Sequence, residues 1–434
     1  MSAQLKCIPI NHGWEFKEAD RDDTFLPVSQ FPTTNHLDLL HHGRIPDPTQ
    51  DRNREAVQWV GERPWLYKTS FEYDEGGTPR AVLVFKGLDT HCSIVLNGEL
   101  LLKTNDMFLE YTSEVTGKLK MGMNDLELRF ESTFLVGKQL EKAQGFKNLF
   151  WNGDSSRMNV RKVPCHYGWD WGPTLMTCGP WRPISLLVYE ARILDLSVDI
   201  EVSDGLDYAI LTVQNEIEGG NNMRIEVSVK DASGTQVATR SLQGNATCRF
   251  TINSPVLWYP VGYGAQHLYM VEARLYGPSG ESCLDFMSHK VGIRLLELVQ
   301  RPIVGQSGST FFFRVNNIPI YCQGTNWIPP DTFLPRMTAE KYREWLQLAV
   351  KSNQNMIRVW GGGLYEEDSF YDTCDELGIL IWQDFMLGCG SYPVNDELLT
   401  AIKREAIYNV KRLRQHPCKS RFRPTFIPKI WYHK

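Results

Sequence analysis

Near residue 311 the spacing of apolar residues changes, and that change restricts what the chain can fold into. Before it, short apolar or alternating runs are broken by Gly, Asn and Asp, the pattern of strands and tight turns. After it, strands alternate with amphipathic helices. The segment 320–324 reads as a short strand and 326–331 as a loop. Thr338 can cap a helix whose Tyr342, Trp345, Leu346 and Ala349 fall at i, i+3, i+4 and i+7. A second strand, Met356 to Trp360, ends in three glycines, and a second helix places Phe370, Cys374 and Leu377 on one face before stopping at Gly378. A third strand, Ile379 to Trp382, precedes a helix carrying Leu399, Ile402, Ala406, Val410 and Leu413. Three βα units in a row begin either a (β/α)8 barrel or an open α/β sheet. No GxGxxG follows a strand, which argues against a dinucleotide fold. In a barrel the strand ends form the active face, and Arg358, Trp360 and Asp384 fall there. Taken singly, they read equally as a salt bridge, core filler and a helix cap.

The earlier sequence divides into two β domains. In residues 1–190, Ala81 to Phe85 suits a buried strand. Asn97-Gly98 between Ser93–Leu96 and Glu99–Leu102 predicts a tight hairpin, and Leu126 to Phe130 alternates. These features predict a jelly-roll β-sandwich. The stretch 37–51 reads as loop. His36, His41 and His42 have no Cys or carboxylate at ligand spacing, so no metal is expected there. Residues 191–299 repeat short strands, such as Ile210–Val213 and Arg224–Val229, and predict an immunoglobulin-like sandwich acting as scaffold.

One stretch stands out chemically: His166-Tyr167-Gly168-Trp169-Asp170-Trp171-Gly172-Pro173. Exposed indoles are unfavourable in water, and a buried carboxylate is unfavourable unless paired. A sugar reconciles the two: its C–H face lies on indole while its hydroxyls donate to Asp170. A Trp-rich structural corner, with Asp170 capping a turn, is the other reading. The net charge of −5 leaves no basic footprint for nucleic acid. No apolar run is long enough for a membrane span, and the N-terminus lacks a signal-peptide pattern, so an intracellular, cytoplasmic location is expected. The ten cysteines have no CxxC rhythm and are expected reduced and mostly buried.

The order of these parts resembles glycoside hydrolase family two, and within it the β-mannosidases, especially the intracellular fungal type. The resemblance rests on HYGWDWGP (166–173), LWYPVGYG (257–264), VGIR (291–294), GTNWIPPDTF (324–333), NMIRVWGGGLYE (355–366) and WQDFMLGCGSYP (382–393), and it runs from about residue 10 to 418. It implies an exo-acting, retaining hydrolase that removes terminal β-linked mannose from oligosaccharides and glycoprotein glycans. No metal or organic cofactor is implied, and the partner is the β-mannoside oligosaccharide. Two glutamates about 5 Å apart do the chemistry in such enzymes. By motif, Trp169, Asp170 and Trp171 would hold the non-reducing mannose, with Asp170 accepting from its hydroxyls. Trp360 would floor the pocket, Arg358 would pair with the nucleophile and keep it ionised, and Asp384 would support them.

The sequence departs from that pattern at its end. The family's acid/base glutamate lies in a Trp-x-Gly-Asn-Asn-Glu motif on the fourth barrel strand, shortly after the position of Arg414–Pro417. Here a basic stretch follows instead, with five Lys/Arg and no Asp/Glu from 419 on, and the last acidic residue is Glu405. Neither catalytic glutamate is found. The expected organisation is thus 1–190 jelly roll, 191–299 Ig-like sandwich, 300–418 the N-terminal part of a (β/α)8 barrel and 419–434 a divergent basic tail. Two readings follow: a C-terminally truncated β-mannosidase, or a non-catalytic carbohydrate-binding fragment. Neither is expected to hydrolyse glycosides as written, and candidate replacements upstream, such as Asp331, Glu366, Glu367 or Asp384, sit on the first three βα units only.

Overall fold

The computed structural model describes residues 4–74, 80–219, 222–278, 280 and 282–423. In the first domain, Asn97 and Gly98 both take the positive φ that a tight hairpin requires, and Cys92–Leu96 pairs with Glu99–Thr104 across them. That hairpin is one end of a six-stranded antiparallel sheet. The remaining strands, in spatial order, are Gly122–Phe130, Trp65–Tyr73, Glu15–Glu18 and Leu26–Pro27. Lys6–Pro9, Ile184–Tyr189, Arg80–Phe85 and Tyr111–Glu114 form a second sheet. Phe16, Trp65, Tyr67 and Leu128 from one sheet and Leu83, Phe85 and Leu186 from the other share one core. Three helices decorate this sandwich: α1 (Asn35–His41), α2 (Asn53–Ala56) and α3 (Thr133–Gln144).

Helix α1 corrects the reading of 37–51 as loop. Its origin is tertiary. The buried Asp38 carboxylate accepts from Ser29 N–H at 2.8 Å, from Thr33 Oγ1 at 2.8 Å and from Tyr67 Oη at 3.2 Å. No local periodicity encodes those partners.

The second domain packs Arg192–Val202, Tyr208–Glu218 and Thr247–Asn253 against a four-stranded sheet. The latter comprises Gln236–Gln243, Arg224–Lys230, Tyr269–Tyr276 and Cys283–Val291. A small antiparallel sheet, Leu296–Val299, Phe312–Val315 and Ile318–Ile320, then leads into α/β structure.

The last region holds a parallel sheet of Gly324–Trp327, Met356–Val359, Leu380–Asp384 and Lys419–Arg423, with neighbours in chain order. Between them come α4 (Ala339–Lys351), α5 (Asp368–Leu377) and α6 (Asp396–Leu413). Thr338 caps α4 through its side chain, and Gly378 closes α5 in the left-handed conformation.

Four expectations for this region need correction. The first parallel strand is 324–327, not 320–324, because Asn355 holds the chain just before it: Asn355 Nδ2 donates to Tyr321 O at 2.9 Å, and its Oδ1 accepts from Gln323 N–H at 3.0 Å. Trp345 does not join Tyr342 and Leu346 in the core but is 53% exposed. Of the predicted Leu399, Ile402, Ala406, Val410 and Leu413, only Ile402 and Leu413 are buried, and the buried face of α6 is completed by Leu398, Glu405 and Asn409. The polar members of that face defeat a purely apolar period. Finally, the segment set apart as a tail contributes a strand, since Lys419–Arg423 lies parallel to Leu380–Asp384. Residues 424–434 lie outside the described ones.

All ten cysteines are free, and six of them are buried. Among the described residues no helix is long and apolar enough to cross a membrane.

The reason α6 turns its polar side inward is Arg161 of the first domain. Its Nε and Nη2 donate to Glu405 at 2.7 and 2.8 Å, and Nη2 also reaches Met386 O at 2.9 Å. Side-chain exposures are 3% for Arg161 and 2% for Glu405. Removing one partner of such a pair strands a buried charge, typically at about 3–5 kcal/mol. Glu405→Ala is therefore expected to lower the urea-unfolding free energy by about that amount, whereas replacing both partners with apolar residues restores much of it. A loss in the double variant equal to the sum of the two single losses would show that the pair is not coupled.

Candidate functional site

The segment 166–173 makes a tight turn that projects from the first domain. Trp169 N–H donates to Gly172 O at 2.9 Å and Gly172 N–H returns to Trp169 O at 3.3 Å, so Asp170 and Trp171 form the tip. Gly168, with φ +97°, permits the approach, since a Cβ there would lie 2.4 Å from Thr174 Oγ1. At the base His166 is fully buried. Its Nε2 lies 3.1 Å from Thr332 O and its Nδ1 3.1 Å from the Thr177 hydroxyl. Burial, with Lys162 nearby, holds its pKa well below the usual histidine value, so the ring is neutral. Asp170 and Trp171 are exposed, and Asp170 has no hydrogen-bond or ion-pair partner among the described residues.

The tip lies against the end of the second parallel strand. The Trp360 ring meets Trp169 edge-on at 4.7 Å and Trp171 at 5.9 Å. Gly362 leaves room for that indole, since any Cβ there would fall 2.0 Å from the ring, and Gly362 O accepts from Cys165 N–H at 3.0 Å. The sequence-predicted residues thus fall into two groups. Trp169, Asp170, Trp171 and Trp360 meet in one cluster. Arg358 and Asp384 pair with each other: Arg358 Nη2 donates to Asp384 Oδ2 at 2.5 Å, and Nη1 reaches Asn326 Oδ1 at 3.0 Å. Burial raises the Asp384 pKa, against the pull of Arg358.

Trp169, Asp170 and Trp171 also line a cleft of about 740 Å³. Arg54, Glu55 and Gln58 line it as well, and Trp360, Arg358 and Asp384 are not among its lining residues.

The remaining acids near the strand ends are engaged by neighbours. Asp331 binds Arg336 at 2.6 and 2.8 Å, and Glu367 pairs with Arg182. Glu366 is buried, accepting from Tyr342 Oη at 2.5 Å and Trp327 Nε1 at 2.8 Å. A second cluster, Asp375, His416 and Cys418, brings potential metal-ligand atoms within 4.8 Å of one another. Both carboxylate oxygens of Asp375 are already used, by His416 Nδ1 at 2.6 Å and by Cys418 N–H at 2.9 Å. Burial opposes the charge on His416, but Asp375 outweighs it and the pKa rises. The arrangement is that of a closed ion pair.

Sequence reasoning missed Arg157 and Arg161. Arg157 donates to Gly388 O at 3.1 Å, Cys389 O at 2.7 Å and Trp151 O at 3.1 Å, and its guanidinium lies 5.4 Å from the Trp169 ring centre. The available signal was three basic residues at 157, 161 and 162, just before the Trp-rich turn.

The galactose-binding domain-like model of glycosyl hydrolase 2 matches residues 14–182, and the glycosyl hydrolases family 2 model matches 191–294. Together they cover more than half of the chain, which belongs to glycoside hydrolase family 2. It is 51% identical to β-mannosidase B of Thermothelomyces thermophilus over 421 residues, 94% of this chain and 48% of that protein. It is 42% identical to β-mannosidase B of Aspergillus clavatus over 425 residues, 96% of this chain and 50% of that one. The crystal structure of a β-D-mannosidase from Dictyoglomus thermophilum superimposes with a TM-score of 0.89 at 36% identity, over 95% of this chain and 51% of the other. An exo-chitosanase from Amycolatopsis orientalis, at 19% identity and TM-score 0.71, shares the fold alone. The chain spans about half the length of the curated relatives it matches.

Glu366 sets a pH test. Burial is the main cause that raises its pKa from 4.5 to about 7. Its contribution to stability is full below pH 4.5 and is lost as pH rises through about 7, because the unfolded chain ionises first. The loss is on the order of 3 kcal/mol over that interval. Glu366→Gln is expected to flatten this part of the pH dependence of the urea midpoint. An unchanged slope would show that Glu366 titrates normally.

Proposed function

We propose that these residues form the mannose-recognition side of a β-mannosidase, and that the parallel sheet is the first half of its (β/α)8 barrel. Four strands in chain order, with helices between them, support the barrel reading. The observation that carries the function is the unpartnered Asp170 at the tip of a Trp-lined turn laid against Trp360 at a strand end. A terminal mannose stacks its C–H face on indole and donates its hydroxyls to Asp170. Charge-assisted bonds of this kind are strong and directional. Arg358, beside Asp384, supplies a fixed positive charge at the strand ends, suited to keeping a nearby carboxylate ionised. The substrate is a β-mannoside oligosaccharide, cleaved from its non-reducing end with retention.

Retaining hydrolysis needs an acid and a nucleophile about 5 Å apart. No Trp-x-Gly-Asn-Asn-Glu motif occurs in the 434 residues, and Asp331, Glu366, Glu367 and Asp384 are each committed to a neighbour. This favours, as a second reading for residues 1–434 alone, a protein that binds β-mannosides without cutting them.

Calorimetric titration of residues 1–434 with methyl β-mannoside should show binding, weakened roughly ten- to hundredfold in Asp170→Ala by loss of a charge-assisted bond worth about 1.5–3 kcal/mol. Incubation with an aryl β-mannoside should give no turnover above buffer. Undiminished binding in Asp170→Ala would make the turn structural. Turnover that disappears in that variant would reveal a catalytic pair among the present acids.

A further inference from the structure

A second cleft, of about 370 Å³, lies where the first domain meets α6, and no residue lines both it and the cleft at the turn. Leu140, Ala143 and Gln144 line it from the end of α3, and Glu397, Leu398 and Ala401 from the start of α6. Ligand sites favour such junctions between domains, and this volume falls at the small end of their ~300–1,000 Å³ range.

The polar lining includes His91, Asn159 and Arg161. Asn159 is the anomaly. Its Nδ2 is buried, and neither Nδ2 nor Oδ1 has a hydrogen-bond partner among the described residues. A buried amide left unpaired is costly, and native structures almost always satisfy it with protein, water or ligand. Its neighbours do not relieve it. Arg161 is committed to Glu405 and to Met386 O. His91 Nδ1 lies 3.2 Å from Thr133 Oγ1, and its Nε2 has no partner among the described residues. Burial is the main cause that lowers the His91 pKa to about 4, with Asp89 opposing and Lys162 adding, so the ring is neutral.

These states select the ligand. Arg161 is the one cation in this lining among the described residues, and Glu405 already meets its charge, so an anion would be desolvated without a counter-charge. An ammonium would leave the Asn159 N–H without an acceptor. Glu397, exposed and unpartnered among the described residues, would hold an ammonium only through a solvent-screened pair. A purely apolar molecule would leave the amide as it is. Adjacent hydroxyls both donate and accept, which suits an amide, a neutral imidazole and a carboxylate together. Leu140, Leu398 and Ala401 offer apolar surface to the carbon skeleton between them.

We propose that this cleft binds a small neutral polyol, held by Asn159, His91 and Glu397 between the sandwich and α6. The proposal does not depend on the mannose reading of Asp170. A ligand there touches both domains, so it binds their docked arrangement and stabilises it by linkage.

The test is made in residues 1–434 carrying Asp170→Ala, so that the turn does not contribute. Calorimetry titrates D-mannitol, D-mannose and propylammonium chloride into this chain. At least one of the two polyols should bind saturably, one molecule per chain, and raise the Tm, whereas propylammonium should bind more weakly. Adding Asn159→Ala, which breaks no side-chain hydrogen bond among the described residues, should weaken polyol binding about tenfold. Adding Ala401→Phe instead, which fills the cleft, should remove it, with circular dichroism checking that each variant keeps its fold. No binding of either polyol, or equal affinity with and without Asn159→Ala, overturns the site. Propylammonium bound more tightly than both polyols overturns the ligand class. None of these outcomes bears on the Asp170 reading, which methyl β-mannoside tests with that residue in place.

Discussion

Three buried cations in six residues hold this structure together. Arg157, Arg161 and Lys162 are each 3% exposed or less, and each meets its charge with partners from a different quarter. Arg157 is spent on carbonyls of 151, 388 and 389, Arg161 on Glu405 of α6, and Lys162 on Asp89 of its own sandwich. Desolvating such groups costs several kcal/mol per ion, so the pairs are a poor source of net stability. What they supply is register. Each cation has one place to go, and the alternative is an unpaired charge in a dry interior. The first domain is therefore locked onto the α/β sheet in one orientation.

The turn that follows inherits that orientation. Cys165 hydrogen-bonds to the Gly362 carbonyl, neutral His166 sits between Thr177 and the Thr332 carbonyl, and only then does the chain rise to its tip. Asp170 and Trp360 come from different domains, yet Trp169, Trp171 and Trp360 form one aromatic cluster. The exposed carboxylate at the end of this cluster has no partner among the described residues, which leaves its oxygens open to hydroxyl donors.

Much of this was legible in the sequence wherever the cause is local. The Asn97-Gly98 hairpin, the Thr338 cap and the Gly378 stop need only neighbours a few residues away. The Trp-Asp-Trp turn was visible because its composition conflicts with water. The features that escaped depend on distant partners. Helix α1 is anchored through buried Asp38, whose partner Tyr67 lies 29 residues on. The face of α6 is set by Arg161, over 240 residues earlier in the chain.

The proposed sugar site is composite, and Arg157 holds its two halves together. Arg157→Lys keeps the charge but loses the planar fork that reaches the carbonyls of 151, 388 and 389. The decisive measurement is the methyl β-mannoside affinity of that variant by calorimetry, alongside a far-UV circular dichroism spectrum. A composite site should lose affinity about tenfold or more with the spectrum unchanged, equivalent to ~1.4 kcal/mol. Parent-like affinity in Arg157→Lys would contradict it, because the turn would then bind sugar without being held against the strand ends.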